Sequence, residues 1–273
     1  MGQTGVGTVM AKPVFENRAK KRLAAGELTL CMGVNQMRSP DVALIAAACG
    51  FDAIFIDLEH APTSLESAAA ICVSALSVGI TPIARVASKH AHDSARILDA
   101  GGQGVMVAHI DNAEEARAIV NTLRFPPIGH RSAYGTGPAL GYRPIPQGEV
   151  NFILNENELL IAMLETPEAI ENAEAIAAVP GIDVVHIGSL DVTNEMGIPA
   201  DYRNPRMWAN FERVAKACRA NGKAMGVGGA RGDFGLQKDL IALGVRYMTT
   251  GSDVSYLMAA ARSEVASLRN LKI

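Results

Sequence analysis

The chain has 273 residues, a formal net charge of −3 and a hydrophobic fraction of 49%. It is long enough to bury a large core, and its slightly acidic balance gives no reason to expect nucleic acid or a membrane surface as a partner. The N-terminus lacks the continuous apolar run of a signal peptide, and no later run is long enough to span a bilayer, so we expect a soluble cytoplasmic protein.

Short apolar segments rich in Val and Ile alternate with Ala-rich segments of helical period. The predicted strands are 28–35, 52–57, 81–86, 104–109, 159–164, 183–188, 223–228 and 245–250. Their near-continuous apolar character is typical of parallel strands that are covered on both faces. Eight strand-then-helix units in a chain of this length predict an α/β fold, a (β/α)8 TIM barrel. A doubly wound open sheet is the alternative, but no G-x-G-x-x-G fingerprint follows the first strand.

We expect one barrel domain over residues 1–273, with residues 1–25 as an N-terminal extension or helix. The longest irregular region, 125–149, follows the fourth unit, and a loop of that length in a compact domain is usually functional. The last stretch, 253–273, has the pattern of an amphipathic helix. Four cysteines stand apart without metal-binding spacing, which predicts reduced and mostly buried thiols.

Polar residues follow several predicted strands at the end where a barrel carries its active site. They are Asp57, Glu59 and His60 after the second strand, Arg85 at the end of the third, Glu165 after the fifth and Asp191 after the sixth. Each has an ordinary explanation when taken alone, such as a structural histidine or an N-cap. Their position at one face, on different strands, predicts a functional site there.

Carboxylates at this face, without a further ligand from Cys or His, favour a hard cation such as Mg²⁺ or Mn²⁺. Such an ion binds a 2-keto acid through its carboxylate and keto oxygens, and Arg85 would then stabilise the enolate oxygen. His60 is the candidate proton carrier, with Asp57 or Asp99 holding its orientation. Lys223 begins its strand, at the wrong end of the barrel for a Schiff base, so a metal–enolate mechanism is favoured over an iminium one.

Several motifs recur together in one known family: IDLEHAP (56–62), PIARV (82–86), ILDAGGQGVMVAHIDNAEEA (97–116), RFPPIGHR (124–131), LETPEAI (164–170) and HIGSLDVTNEMG (186–197). Through them the chain resembles the class II pyruvate aldolases of the HpcH/HpaI family over nearly its whole length. The D-x-E-H-A-P motif is highly specific, and the downstream Glu and Asp accompany it.

The resemblance implies a role for each matching residue. Glu165 and Asp191 would bind the metal (Mg²⁺, Mn²⁺ or Co²⁺), and His60 would be the acid/base residue, acting through a metal-bound water. Arg85 would stabilise the pyruvate enolate, and Asp99 would raise the basicity of the histidine. The implied reaction is reversible cleavage of a 4-hydroxy-2-keto acid to pyruvate and an aldehyde. The implied assembly is a homo-oligomer, a trimer of dimers, with the C-terminal helix exchanged between subunits.

The chain departs from the family pattern at three places, and the residues at the first two, Met163 and Gly188–Asp191, are predicted to bind the substrate. Met163 stands where Gln is frequent, two residues before the metal-binding Glu. The loop usually written G-P-A-D is Gly188-Ser189-Leu190-Asp191 here, and Gly228 and Gly229 replace larger aliphatic residues. We expect these changes to preserve the chemistry but alter the pocket, so that acceptor or donor differs from a standard dicarboxylic substrate. His109, after the fourth strand, is either a further pocket residue or an ordinary strand-end residue.

Two alternatives remain. The first is an acyl-CoA lyase of the citrate lyase and malyl-CoA lyase type, for which Arg131, Arg143 and Arg231 would hold the nucleotide phosphates, although D-x-E-H-A-P favours free acids. The second is a non-catalytic barrel that binds a keto acid. Only Met163 and the Gly188–Asp191 loop favour that second alternative, and a protein that only binds has no need of His60.

Overall fold

Eight parallel strands close into a barrel in chain order, in a computed structural model that describes residues 14–86 and 92–271. The strands are β1 Thr29–Val34, β2 Ala53–Asp57, β3 Thr81–Val86, β4 Gly104–Val107, β5 Leu159–Leu164, β6 Val184–Gly188, β7 Ala224–Gly228 and β8 Val245–Ser252. All eight predicted strands are present and the (β/α)8 barrel is confirmed. The pairing slips by one residue both where β8 joins β1 and where it joins β7.

Helices surround the barrel, and the first of them closes the end formed by the N-terminal ends of the strands. They are α1 Arg18–Ala24, α2 Asp41–Ala48, α3 Leu65–Ser77, α4 His92–Asp99, α5 Ala113–Leu123, α6 Gln147–Asn157, α7 Pro167–Glu171, α8 Ala173–Ala177, α9 Ser189–Glu195, α10 Pro205–Ala220, α11 Phe234–Leu243 and α12 Asp253–Arg269. Helix α1, inside the predicted extension, buries Ala19 among the inward-facing side chains at the N-terminal ends of the strands. Because that end is closed by α1, the opposite end is the open one.

Part of the region predicted to be irregular is ordered. A short 3₁₀ turn covers Pro138–Leu140, and α6 begins at Gln147. Helix α6 buries Val150, Ile153 and Leu154, whose spacing places them on one helical face. Their side chains form a small apolar cluster with Phe125 and Leu140. The end of the long segment is therefore helical and packed, whereas most of residues 125–146 is irregular, as predicted.

Helix α12 is anchored at its first turn, and Asp253 is its only buried residue. The Asp253 carboxylate accepts hydrogen bonds from the backbone N–H groups of Asn35, Gln36 and Met37, at 3.1, 2.9 and 2.6 Å. The rest of the helix exposes large apolar side chains, namely Val254, Leu257, Met258, Val265 and Leu268. Helix exchange between subunits stays a prediction, and this uncovered face is what it would bury. In the described ranges, no helix is both long and apolar enough to cross a membrane.

The cysteines divide into two groups. Cys31, Cys72 and Cys218 are buried, and burial raises the pKa of each thiol to about 12. Cys49 follows α2 and is exposed. The prediction that the cysteines are mostly buried is confirmed, and their reduced state stays a prediction.

Candidate active site

A cavity of about 580 Å³ opens at the C-terminal ends of the strands. Its wall includes the predicted residues His60, Arg85, Met163, Gly188, Ser189, Leu190 and Asp191, together with Asn35, Phe55, Met106, His186, Gly228, Gly229, Arg231, Thr249, Gly251, Ser252 and Ser255. In a (β/α)8 barrel this is the end where catalysis takes place, and the volume is in the range of small-molecule sites.

Asp57 and Arg85 form a buried pair at the base of this cavity. They are in register on β2 and β3, so their side chains meet directly. Arg85 Nε donates to Asp57 Oδ1 at 3.1 Å, and Nη2 donates to Oδ2 at 2.7 Å. Burial alone would raise the pKa of Asp57, but the hydrogen bonds and charge of Arg85 outweigh it and hold that pKa below its ordinary value. The pair therefore stays charged and fixes the guanidinium in one orientation.

Asp57 also shapes the turn that carries the candidate proton carrier. Its Oδ1 accepts hydrogen bonds from the backbone N–H groups of Glu59 and His60, at 3.1 and 3.2 Å. The His60 side chain is 64% exposed, and its Nε2 lies 3.8 Å from Glu59 Oε2. Asp57 thus positions His60 through the backbone, whereas the carboxylate nearest to the imidazole is that of Glu59.

Glu165, a predicted metal ligand, lies in a group of possible ligands with Glu59 and His109. One ligand atom from each of the three lies within 4.8 Å of the others. His109 has a left-handed backbone, with φ of 54°, and its N–H donates to Glu165 Oε2 at 3.0 Å. From the sequence alone the roles of Glu59 and His109 are undecided, and the signal for His109 is its position two residues after the end of β4.

A divalent cation fits this group. Glu59 Oε2 is buried and accepts no hydrogen bond, although Arg85 Nε is 3.2 Å away. Burial raises the pKa of Glu165 to about 7 against the opposing effect of His109, and the charges of Glu59 and Asp191 add to the rise. The nearby guanidinium of Arg85 is already paired with Asp57. A hard cation would therefore stabilise the remaining carboxylates of this group.

Asp191, the second predicted metal ligand, lines the cavity in the first turn of α9 but is not one of those three residues. The loop before it makes room for Glu165, because a Cβ added at Gly188 would lie 2.6 Å from Glu165 Cγ. Leu190 is 48% exposed and Ser189 Oγ is buried without a hydrogen-bond partner. The extra bulk of Leu190 therefore lies at the rim of the cavity.

A buried histidine that the sequence did not single out helps to form the cavity floor. His186 is paired with Met163 on β5 and with Gly226 on β7. A Cβ at Gly226 would lie 2.5 Å from His186 Nδ1, and one at Gly228 would lie 3.2 Å from Nε2. The two glycines thus leave space for an imidazole. Burial, with a smaller effect of the Arg85 charge, lowers the pKa of His186 to about 3, so the ring is neutral.

Asp99 is not brought to the cavity. It ends α4 on the outside of the barrel, where its Oδ1 is 2.6 Å from Arg131 Nη2. Arg131 Nη1 also contacts Glu158, at 2.8 Å. Within one chain Asp99 therefore pairs with an arginine of the long segment and does not contact the His60 ring. Its predicted effect on the basicity of His60 stays a prediction.

Known proteins of similar sequence and structure match the chain over most of its length. The HpcH/HpaI aldolase/citrate lyase family matches residues 35–260. The 4-hydroxy-4-methyl-2-oxoglutarate aldolase of Chaetomium globosum is 40% identical, over 92% of this chain and 94% of that protein. A hydroxypyruvate/pyruvate aldolase of Cupriavidus necator is 32% identical, over 93% of each. The crystal structure of an HpcH/HpaI aldolase from Desulfitobacterium hafniense has a TM-score of 0.87 and 26% identity, over 93% of this chain and 97% of that one.

Proposed function

The chain belongs to the HpcH/HpaI aldolase/citrate lyase family, and on that basis we propose that it is a divalent-metal-dependent aldolase that reversibly cleaves a 4-hydroxy-2-keto acid. The products are pyruvate and an aldehyde, or a second pyruvate if the substrate is 4-hydroxy-4-methyl-2-oxoglutarate, for which the Chaetomium relative is named. The observation that carries the proposal is the cavity in which Arg85 and His60 lie beside a group of metal-ligand type.

Glu165 is the residue around which the metal site is proposed, with Asp191 as the second ligand that the family resemblance implies. Glu59 and His109 are further candidates, because their ligand atoms lie near Glu165. A bound divalent cation would supply Lewis-acid polarisation of the substrate's keto group. The choice among Mg²⁺, Mn²⁺ and Co²⁺ is part of the proposal.

The residues of the chain would divide the work on the carbon–carbon bond. In the cleavage direction, His60 takes the proton of the 4-hydroxyl group, the C3–C4 bond breaks, and C4 becomes a carbonyl carbon. The electron pair of that bond enters the enolate of pyruvate, and the guanidinium of Arg85, held by Asp57, stabilises the charge on the enolate oxygen. A proton delivered to C3 then gives pyruvate, and the reverse sequence is aldol addition.

The acyl-CoA alternative receives little support. Of the three arginines considered for nucleotide phosphates, only Arg231 lines the cavity. Arg131 has a buried side chain that is paired with Glu158 and Asp99, so it is unavailable to a phosphate. A substrate without a nucleotide is therefore the better match.

Exchange of the methyl protons of pyruvate in D₂O, followed by NMR, tests the proposal without knowledge of the acceptor. We expect exchange that requires Mg²⁺ or Mn²⁺, stops with chelator and is lost in His60→Ala. His130→Ala is the matched control, because His130 is exposed and lies outside the cavity. Exchange no faster than metal alone produces in buffer would overturn the proposal.

We also propose that α12 packs against another subunit. Its exposed apolar side chains support this, since a contiguous apolar face on a helix marks an interaction surface. The trimer of dimers and the cytoplasmic location stay predictions.

A further inference from the structure

Arg231 lies in the segment between β7 and α11, at the wall of the cavity. Its guanidinium carbon stands 5.0 Å from the centre of the Tyr256 ring, and its Nη2 donates to the backbone carbonyl of Ser255 at 3.0 Å. A stacked aromatic ring and a carbonyl hold a guanidinium in place without neutralising its charge. The side chain is therefore oriented but still cationic.

The backbone opposite Arg231 leaves room for it. Gly251, also in the cavity wall, has φ of 159°, and a Cβ there would lie 2.7 Å from Arg231 Cδ and 2.9 Å from its Nε. A side chain at position 251 would displace the arginine. The glycine thus permits Arg231 to lie against the strand end that borders the cavity.

The two arginines of the cavity wall differ in their partners. Arg85 is engaged by the carboxylates of Asp57 and Glu59. Arg231 makes no ion pair with any carboxylate in the described part of the chain, since its hydrogen bond is to a neutral carbonyl. Nearby Ser252 and Ser255 bond to each other in the capping box of α12. An anion that enters this side of the cavity therefore finds Arg231 as its charged donor.

We propose that Arg231 binds a second carboxylate of the substrate, carried on the acceptor half, and so selects dicarboxylic hydroxy-keto acids, which replaces the expectation from the sequence that the substrate differs from a standard diacid. This inference rests on the proposed function. The 2-keto acid end must lie at Arg85 and Glu165 for cleavage to occur, which leaves the far end of the substrate to reach the wall formed by Arg231. A guanidinium binds a carboxylate through charge-assisted and often paired hydrogen bonds.

The test compares two substrates in wild type and Arg231→Gln. The diacid is 4-hydroxy-4-methyl-2-oxoglutarate, and the monoacid is 4-hydroxy-2-oxopentanoate, which lacks the acceptor carboxylate. We expect the ratio of kcat/KM values, diacid over monoacid, to fall about 30- to 100-fold in Arg231→Gln, the loss typical of a hydrogen bond to a charged group. Arg231→Lys should recover part of that ratio.

Arg206→Gln is the matched control, because Arg206 is exposed, also donates to a backbone carbonyl and lies outside the cavity wall. Its ratio should equal that of wild type. Equal losses on both substrates in Arg231→Gln would indicate a structural role and overturn the inference, as would an unchanged ratio. If wild type exchanges pyruvate protons and Arg231→Gln keeps the wild-type ratio of diacid over monoacid, only the Arg231 inference fails. If wild type neither exchanges these protons nor cleaves either acid, the proposed function fails with it.

Discussion

Replacing His186 with phenylalanine should make the protein more resistant to acid than wild type. The His186 side chain is 1% exposed, and its Nδ1 is buried without a hydrogen-bond partner. Its ring packs edge-on against Tyr247, with centroids 5.6 Å apart. Phenylalanine keeps a ring of similar size at this contact and cannot take up a proton. The substitution therefore removes a titration from the barrel interior.

The sign and size follow from the two pKa values of His186. Burial, and to a smaller extent the charge of Arg85, lower the pKa from 6.5 to about 3 in the folded protein. Below pH 6.5 the unfolded chain binds a proton that the folded chain rejects, so the free energy of unfolding falls as the pH drops from 6.5 towards 3. At pH 5, 1.5 pH units below the unfolded value, the loss is roughly 2 kcal/mol at about 1.4 kcal/mol per unit. At pH 8 it vanishes.

Chemical unfolding followed by circular dichroism at pH 8 and pH 5, at one protein concentration, measures this effect. Any packing change caused by His186→Phe acts at both pH values. The loss of unfolding free energy between pH 8 and pH 5, compared between wild type and variant, therefore measures the effect of the proton on His186 alone. His130→Gln is the control, because it also removes a histidine, but one that is exposed and lies outside the cavity. If wild type and His186→Phe lose the same free energy between pH 8 and pH 5, a neutral His186 is refuted.

Three other perturbations have expected outcomes. Arg85→Lys loses the paired hydrogen bonds of the guanidinium and should slow pyruvate proton exchange at least ~100-fold at saturating metal; near wild-type exchange would contradict this. Gly188→Ala should weaken metal binding and activity, measured by calorimetry and cleavage assays, because its Cβ collides with a proposed ligand, whereas Gly148→Ala has open space and should change neither. Deleting residues 253–273 should lower the number of subunits per assembly, measured by light scattering, and an unchanged number would exclude α12 as a subunit contact.

The barrel was predictable because its strands are short, apolar and separated by helical periods, a pattern that only a few layered folds satisfy. The polar residues that line the open end of the barrel were predictable for a related reason, since parallel strands bring their C-terminal ends to one face. Helix α6 was missed although Val150, Ile153 and Leu154 have helical spacing. The glycines and prolines of the segment before it obscured that signal.

What the sequence could not supply is the direction of individual side chains. Asp99 follows the helical pattern, but only the folded long segment brings Arg131 within 2.6 Å of its carboxylate. His109 reaches Glu165 because its backbone is left-handed, and the neighbouring residues in the sequence do not indicate that conformation. The neutral state of His186 depends on burial and on glycines paired across β7, which appear only once the register is known.

The distribution of thiols has a practical consequence for studying assembly. A thiolate is the species that reacts with maleimides, so buried cysteines with a pKa of about 12 should stay inert in the native protein. All four cysteines lie in the described ranges, and Cys49 alone among them is exposed. The sequence thus offers one labelling position per chain. Donor- and acceptor-labelled pools would report subunit mixing by energy transfer, without any engineered cysteine.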